Sequence, residues 1–318
     1  MAAEYNAQAR ANANGDPLEK DFSNGNGYTN GNGGSAHYLH DANMDHGEAL
    51  KRIRTAGSIS ISPELFEKIY LSPQNVVKGD LRKTFGNPTP VALLGFLLSL
   101  SPLSCDLMGW RGAGGNGAAG TGSYYFFGGL LMVLGGFLEF ILGNTFPFVV
   151  FTSFGAFWLS FASTLQPFYY AYGSYAPAGQ PEAAGLSTVG FTSSFAFFLV
   201  FMGVLCFVYL ICSLRTNVVF VVIFFTLVIA FALLSGAYWQ TANALGGTGE
   251  AAASAARLAG RLQIAAGAFT FVTSMAGWWI FFAIMLAALD FPFQIPVGDL
   301  STAIKGASER AKAKEHDV

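Results

Sequence analysis

A carboxylate sits where carboxylates are costly. Between Pro88 and Leu289 the chain carries eight charged residues: Asp106, Arg111, Glu139, Glu182, Arg215, Glu250, Arg257 and Arg261. Seven lie at or beyond the ends of long apolar stretches, and Glu139 alone falls inside one, the run from Tyr124 to Gly143. A charge within a membrane helix costs a few kcal/mol on insertion scales and usually faces a protein interior or a water-filled path. Near the same depth stand Asn87, Pro88, Pro90, Asn144 and Thr145. Amides, hydroxyls and helix-end N–H groups can replace the hydration of a small anion, and a carboxyl group can pass a proton. The chemistry these residues suit is movement of a small ion or acid. Bond-breaking chemistry is not expected. No histidine lies between residues 47 and 315, and no Ser-His-Asp set, phosphate loop or dinucleotide motif is present. His37, His40 and His46 share a tail without cysteine, and Cys105, Cys206 and Cys212 have neither disulfide nor zinc spacing. Neither a metal nor a cofactor is expected.

The elements that must hold Glu139 follow from composition. The chain of 318 residues is 53% hydrophobic and 11% charged, and the first 87 residues hold 19 of its 36 charges. Six apolar runs, at about 88–107, 124–143, 147–166, 193–213, 217–236 and 264–289, approach the ~20 residues that cross a bilayer core. Only helices satisfy the backbone there. The expected fold is an all-α membrane protein, six transmembrane helices in a compact bundle with a disordered N-terminal tail. The division reads 1–54 disordered cytoplasmic tail, 55–86 cytoplasmic juxtamembrane segment, 87–290 transport domain and 291–318 cytoplasmic C-terminal tail. The Asn- and Gly-rich tail lacks apolar residues to bury. Ser62 and Ser72, each before a proline, are turn residues or phosphorylation points. No basic block points to nucleic acid.

Lysine and arginine orient the bundle with both termini cytoplasmic, through Lys78, Arg82, Lys83, Arg215, Lys305, Arg310, Lys312 and Lys314. The inner turns are then very short and the outer loops longer and rich in Gly and Ala, so helices 2–3 and 4–5 form tight hairpins. Tyr238 and Trp239 fall at the outer interface. The second helix carries Gly128, Gly129, Gly135, Gly136 and Gly143. Such a stripe lets helices approach closely or lines a narrow pore, and it implies a helix surrounded by protein. At the inner end each polar residue has two readings. Asn87 caps the first helix or touches substrate. Asn144 and Thr145 close a turn or join the pathway. Glu139 bonds locally, or it shuttles a proton or holds the mouth's shape.

The same residues carry a resemblance. Asn87-Pro88-Thr89-Pro90-Val91-Ala92-Leu93 resembles the Asn-Pro-Ala-Pro-Leu-Gly-Leu signature of the acetate uptake transporter (GPR/FUN/YaaH) family. Gly136–Phe146, with its Glu and Gly-Asn-Thr-Phe ending, and Phe154-Gly155-Ala156-Phe157-Trp158 resemble that family's second and third helices. The resemblance implies plasma-membrane uptake of acetate or another short monocarboxylate, with succinate a further candidate, by a proton-coupled permease or an anion channel. It implies a homo-oligomer, a hexamer in bacterial relatives. It also implies a constriction, for which Phe96, Leu97, Phe154 and Trp158 are the candidates; the family often has Tyr where Phe154 stands. The alternatives are an ammonium exporter and a membrane sensor or acid-tolerance factor with little flux.

Overall fold

The computed structural model describes residues 84–300 with Ala303, Ile304 and Gly306. The expected disordered tail, residues 55–83 of the juxtamembrane segment and most of the chain after 300 lie outside the described residues.

Among the described residues six helices are long and apolar enough to cross a membrane, and the protein is an all-α, multi-pass membrane protein. Helix α1 is Thr89–Leu107. Helix α2 spans Gly115–Ile141, passing from 3₁₀ turns through a π-helical stretch, Tyr124–Leu131, into regular α-helix, Met132–Ile141. Then follow α3, Thr145–Thr164, α4, Val189–Ser213, α5, Val218–Gly246, and α6, Gly249–Ala288. The starts are written in the sequence. Pro90 sits in the first turn of α1, where its missing N–H has no partner to lose. Thr188 and Asn217 accept the N–H groups of Phe191 and Phe220 as caps of α4 and α5.

Consecutive helices pack as antiparallel neighbours: α2 with α3, α4 with α5, α5 with α6; α1 joins α2 to α6. The glycines of α2 divide between two partners. A Cβ on Gly128 would meet Ser99 of α1 and Trp158 of α3, and one on Gly135 would meet Ala92 of α1 at 2.7 Å. Gly129 lies under Leu159, and Gly136 under Thr152 and Phe151, both on α3.

Three expectations need correction. Helix α2 is not surrounded by its own chain. Phe126, Leu130, Leu134, Phe137, Leu138 and Phe140 are exposed, because the glycine faces occupy only one side and the bulky residues take the other. The connection between α5 and α6 is not a long loop but Gly247 and Thr248 alone. The apolar runs end before the helices do: residues 250–263 (EAAASAARLAGRLQ) are rich in alanine, the strongest helix former. With 40 residues, α6 is about 60 Å long, roughly twice a bilayer core. Glu250, Arg257 and Arg261 therefore ride on α6, with Arg257 paired to Glu250 at 2.5 Å. Finally, Gly143 packs nothing. It has φ +78 and no neighbour at its Cβ position, and it serves the turn after α2.

At the end of the bundle where α2–α3 and α4–α5 turn, the segment after α6 runs back across the α4–α5 turn. Val218 N–H donates to Gly298 O at 2.7 Å and Leu300 N–H to Thr216 O at 3.0 Å. Val297 is buried beneath it.

Candidate functional site

Of the eight charged residues between Pro88 and Leu289, only Glu139 is fully buried, at 0% exposure. Its surroundings come from the way α2 ends. Gly143 takes a left-handed conformation, so Asn144 N–H reaches Glu139 O at 2.9 Å and Gly143 N–H reaches Phe140 O at 3.0 Å. This pair of bonds is a Schellman turn. In such turns an apolar contact often joins the residue after the glycine to the last helical turn. Here a polar one does so: Asn144 Nδ2 donates to Glu139 Oε2 at 2.6 Å. The other carboxylate oxygen, Oε1, accepts the Thr89 hydroxyl from the first residue of α1. Asn87 stands one step behind, its Oδ1 accepting Thr89 N–H at 2.9 Å. One carboxylate thus fastens the start of α1, the end of α2 and the start of α3. Thr89 and Asn144 are themselves buried.

Beside this clasp lies a narrow cleft, with room for about one water, lined by Thr89, Phe146, Pro147, Val150, Phe151, Phe220 and Phe224. Further along the bundle lies a second, of about 40 Å³. Helix α1 lines it with Phe96, Leu100, Leu103 and Leu107, and α3 with Phe154, Phe157 and Trp158. Leu227, Ala230, Phe231 and Leu234 of α5 and Thr270 of α6 complete it. The only hydroxyl on that wall, Thr270, donates to Gly267 O at 2.9 Å. The wall is carbon. No residue lines both clefts. Between them stands an aromatic layer: Phe96 meets Phe154 edge-on at 6.2 Å, and Tyr209 of α4 lies 6.3 Å from Phe154 and 5.5 Å from Phe224.

The residues singled out by sequence do not all meet. Asn87, Glu139 and Asn144 belong to one hydrogen-bonded set with Thr89. Pro88 and Pro90 set the α1 start, Pro88 buried and Pro90 partly so. Thr145 is exposed and makes no side-chain bond to the clasp, because the first residue of α3 already turns from the buried side. Phe96 and Phe154 line the second cleft and meet at its boundary. Leu97 lines neither cleft; it lies over Gly277 of α6, where an added Cβ would meet it at 2.6 Å. Trp158 stacks on Tyr124 at 5.1 Å and lines the second cleft, and its buried indole N–H has no hydrogen-bond partner. None of the α2 glycines lines either cleft.

Thr89 and Tyr209 were missed. Thr89 was legible: a hydroxyl at the first helical turn between two prolines shares the depth of Glu139. Tyr209 sits in an unbroken apolar run, and nothing in its spacing marks it.

The model of the GPR1/FUN34/yaaH family matches residues 71–302. The protein alcS of Aspergillus fumigatus is 48% identical over 244 residues, covering 77% of this chain and 86% of that one. The acetate transporter protein patA of Aspergillus clavatus is 32% identical over 218 residues, covering 68% and 79%. Among solved structures, that of the bacterial acetate channel SatP aligns with a TM-score of 0.49 at 23% identity, covering 67% of this chain and 99% of that one.

Proposed function

Because the chain belongs to the GPR1/FUN34/yaaH family, we propose that it carries acetate and similarly short monocarboxylates across the membrane. One observation carries this reading beyond the names of relatives: a buried carboxylate clasp stands beside the first of two apolar clefts set between α1, α3 and α5.

These clefts set a chemical condition. A carboxylate moved into a space walled almost wholly by carbon, with the Trp158 indole N–H the one unpartnered donor among its described lining residues, pays most of the cost of lost hydration, whereas the undissociated acid pays far less. Short carboxylic acids ionise close to a glutamate side chain, near pH ~4.3. A glutamate side chain and such an acid carry the same ionisable group, so one can pass a proton to the other. In this mechanism Asn87, Thr89 and Asn144 hold Glu139 just behind the first cleft, with the Thr89 hydroxyl between it and the cleft. The acid is protonated there and crosses the aromatic layer of Phe96, Phe154 and their neighbours as the neutral species. A second carboxyl group doubles the condition, so succinate should pass poorly. Proton movement with the acid follows from the same mechanism.

The turn end of the bundle faces the cytoplasm in this reading, as the cationic residues near it favour, and the plasma membrane is its setting. The exposed aromatic face of α2 meets lipid or further copies of the chain, and a hexamer is the assembly that the resemblance favours.

Purified protein in lipid vesicles tests the reading. Labelled acetate should enter saturably and faster when the outside is acidic. Entry no faster than into protein-free vesicles overturns it. Saturable entry indifferent to the gradient keeps acetate as cargo and removes the proton step. Ammonium movement without acetate movement selects the exporter instead.

A further inference from the structure

Among the described residues, one buried ring reaches the linings of both clefts while lining neither: Tyr209 of α4. Its ring lies 6.0 Å from Phe146, 5.5 Å from Phe224 and 6.3 Å from Phe154. Phe146 and Phe224 line the first cleft and Phe154 the second. One side chain therefore supports rings on both sides of the boundary. Its hydroxyl is 2.9 Å from Ser153 Oγ. Each hydroxyl also has a carbonyl of α3 within reach, Val150 O at 2.9 Å from Ser153 Oγ and Val149 O at 3.5 Å from the Tyr209 hydroxyl, so either can be the donor in the pair. The bond ties α4 to α3 one residue before Phe154, the ring that closes on Phe96.

We propose that Tyr209 is a positioning residue: through Ser153 it fixes the spacing of the Phe96–Phe154–Phe224 layer and so limits the length of acid that passes. The inference rests on the transport reading and adds to it a selectivity device on a helix that does not touch the path. The physical argument is one of stiffness. Stacked and edge-on rings have broad, shallow minima, with centroids free to sit anywhere from 4.5 to 7 Å apart. Ring contacts alone would let the layer breathe. A buried hydrogen bond at 2.9 Å has a narrow minimum. Removing it leaves the rings in place but their spacing loose. Longer acids should gain more than acetate, which already fits.

Vesicles holding wild type, Tyr209→Phe, Ser153→Ala or the double variant would be compared for uptake of labelled acetate and labelled hexanoate. Tyr209→Phe keeps every ring contact and deletes only the hydroxyl. Its hexanoate-to-acetate ratio should rise about three- to tenfold, the range that losing one hydrogen bond supports. Ser153→Ala should raise the ratio similarly, and the double variant should rise no further than either single, because both remove one bond. A hydroxyl that only aids folding would lower the melting temperature and leave the ratio unchanged. An unchanged ratio in both single variants, with acetate still carried, overturns the proposal, as do fully additive effects in the double variant. Should Tyr209→Phe fail to fold, Ser153→Ala decides by the same ratio. Wild-type vesicles that carry no acid overturn the transport reading and this inference with it.

Discussion

The clasp end of the bundle and its middle solve opposite problems. At the clasp, the four residues Asn87 to Pro90 start α1 and set the Thr89 hydroxyl on Glu139, while the Asn144 amide closes on it at the start of α3. In the middle, the second cleft is lined by leucine, alanine and aromatic carbon, with its lone threonine hydroxyl committed to its own helix. The clasp is specified by direction, since hydrogen bonds fail when misaligned. The middle is specified by volume, since dispersion and packing have no preferred angle. Under the proposed mechanism an acid meets both in turn, exchanging hydrogen bonds at one end and shedding them in the middle. The contrast also explains why a carboxylate is tolerated at residue 139. Its donors come from residues already fixed by helix ends, so they lose little freedom in serving it.

Three changes would break or sharpen the contrast. The largest effect should come from carrying the wrong chemistry into the middle. Ala230→Asp places a carboxylate on the carbon wall, and an uncompensated buried charge costs about 3–5 kcal/mol. Thermal unfolding in detergent should show a marked loss of folded protein; unaltered stability would mean that the middle is wet rather than carbon-lined. Next comes Glu139→Gln, which removes the exchangeable proton but keeps the side chain's size. Glutamine can still accept from Thr89, and Asn144 can turn its amide over to meet the new N–H. The protein should fold, and acetate uptake should fall at least about tenfold, equivalent to about 1.4 kcal/mol. Full uptake with its pH dependence intact would assign Glu139 neither a proton role nor a shaping one. The smallest effect is expected from Thr89→Val, which deletes one donor to the carboxylate at nearly constant volume. A loss of about 1 kcal/mol in stability is the size of one hydrogen bond, with Thr89→Ser restoring it. Equal loss in both variants would assign the residue to packing through its methyl group.

The α2 glycines show where reading by pattern succeeds and where it stops. Their spacing announced close helix approach, and Gly135 against Ala92 is such an approach. The same pattern grouped Gly143 with them, yet that residue bends the chain at φ +78. A periodicity count treats the last glycine of a helix like its predecessors; the chain direction after it differs. The α5–α6 hairpin errs in the opposite sense. Hydropathy marks where a membrane span can end, but alanine-rich sequence continues the helix into water, so Arg257 and Arg261 became helix residues rather than loop charges.

The amino-acid sequence by itself determined the class of the molecule: six apolar segments that must be helices, one carboxylate inside them, prolines at a helix start and a glycine at a helix end. Those are local matters, because backbone satisfaction in lipid, first-turn tolerance of proline and left-handed turns depend on a few neighbouring residues. Only the tertiary structure decided that Thr89 would meet Glu139 across 50 residues, that Leu97 would face Gly277 while Phe96 faced Phe154, and that Tyr209 would stand behind the barrier. Each depends on the rotation of one helix about its axis relative to another. In helices as evenly apolar as α4 and α5, no polar stripe fixes that rotation, and side-chain packing alone sets it.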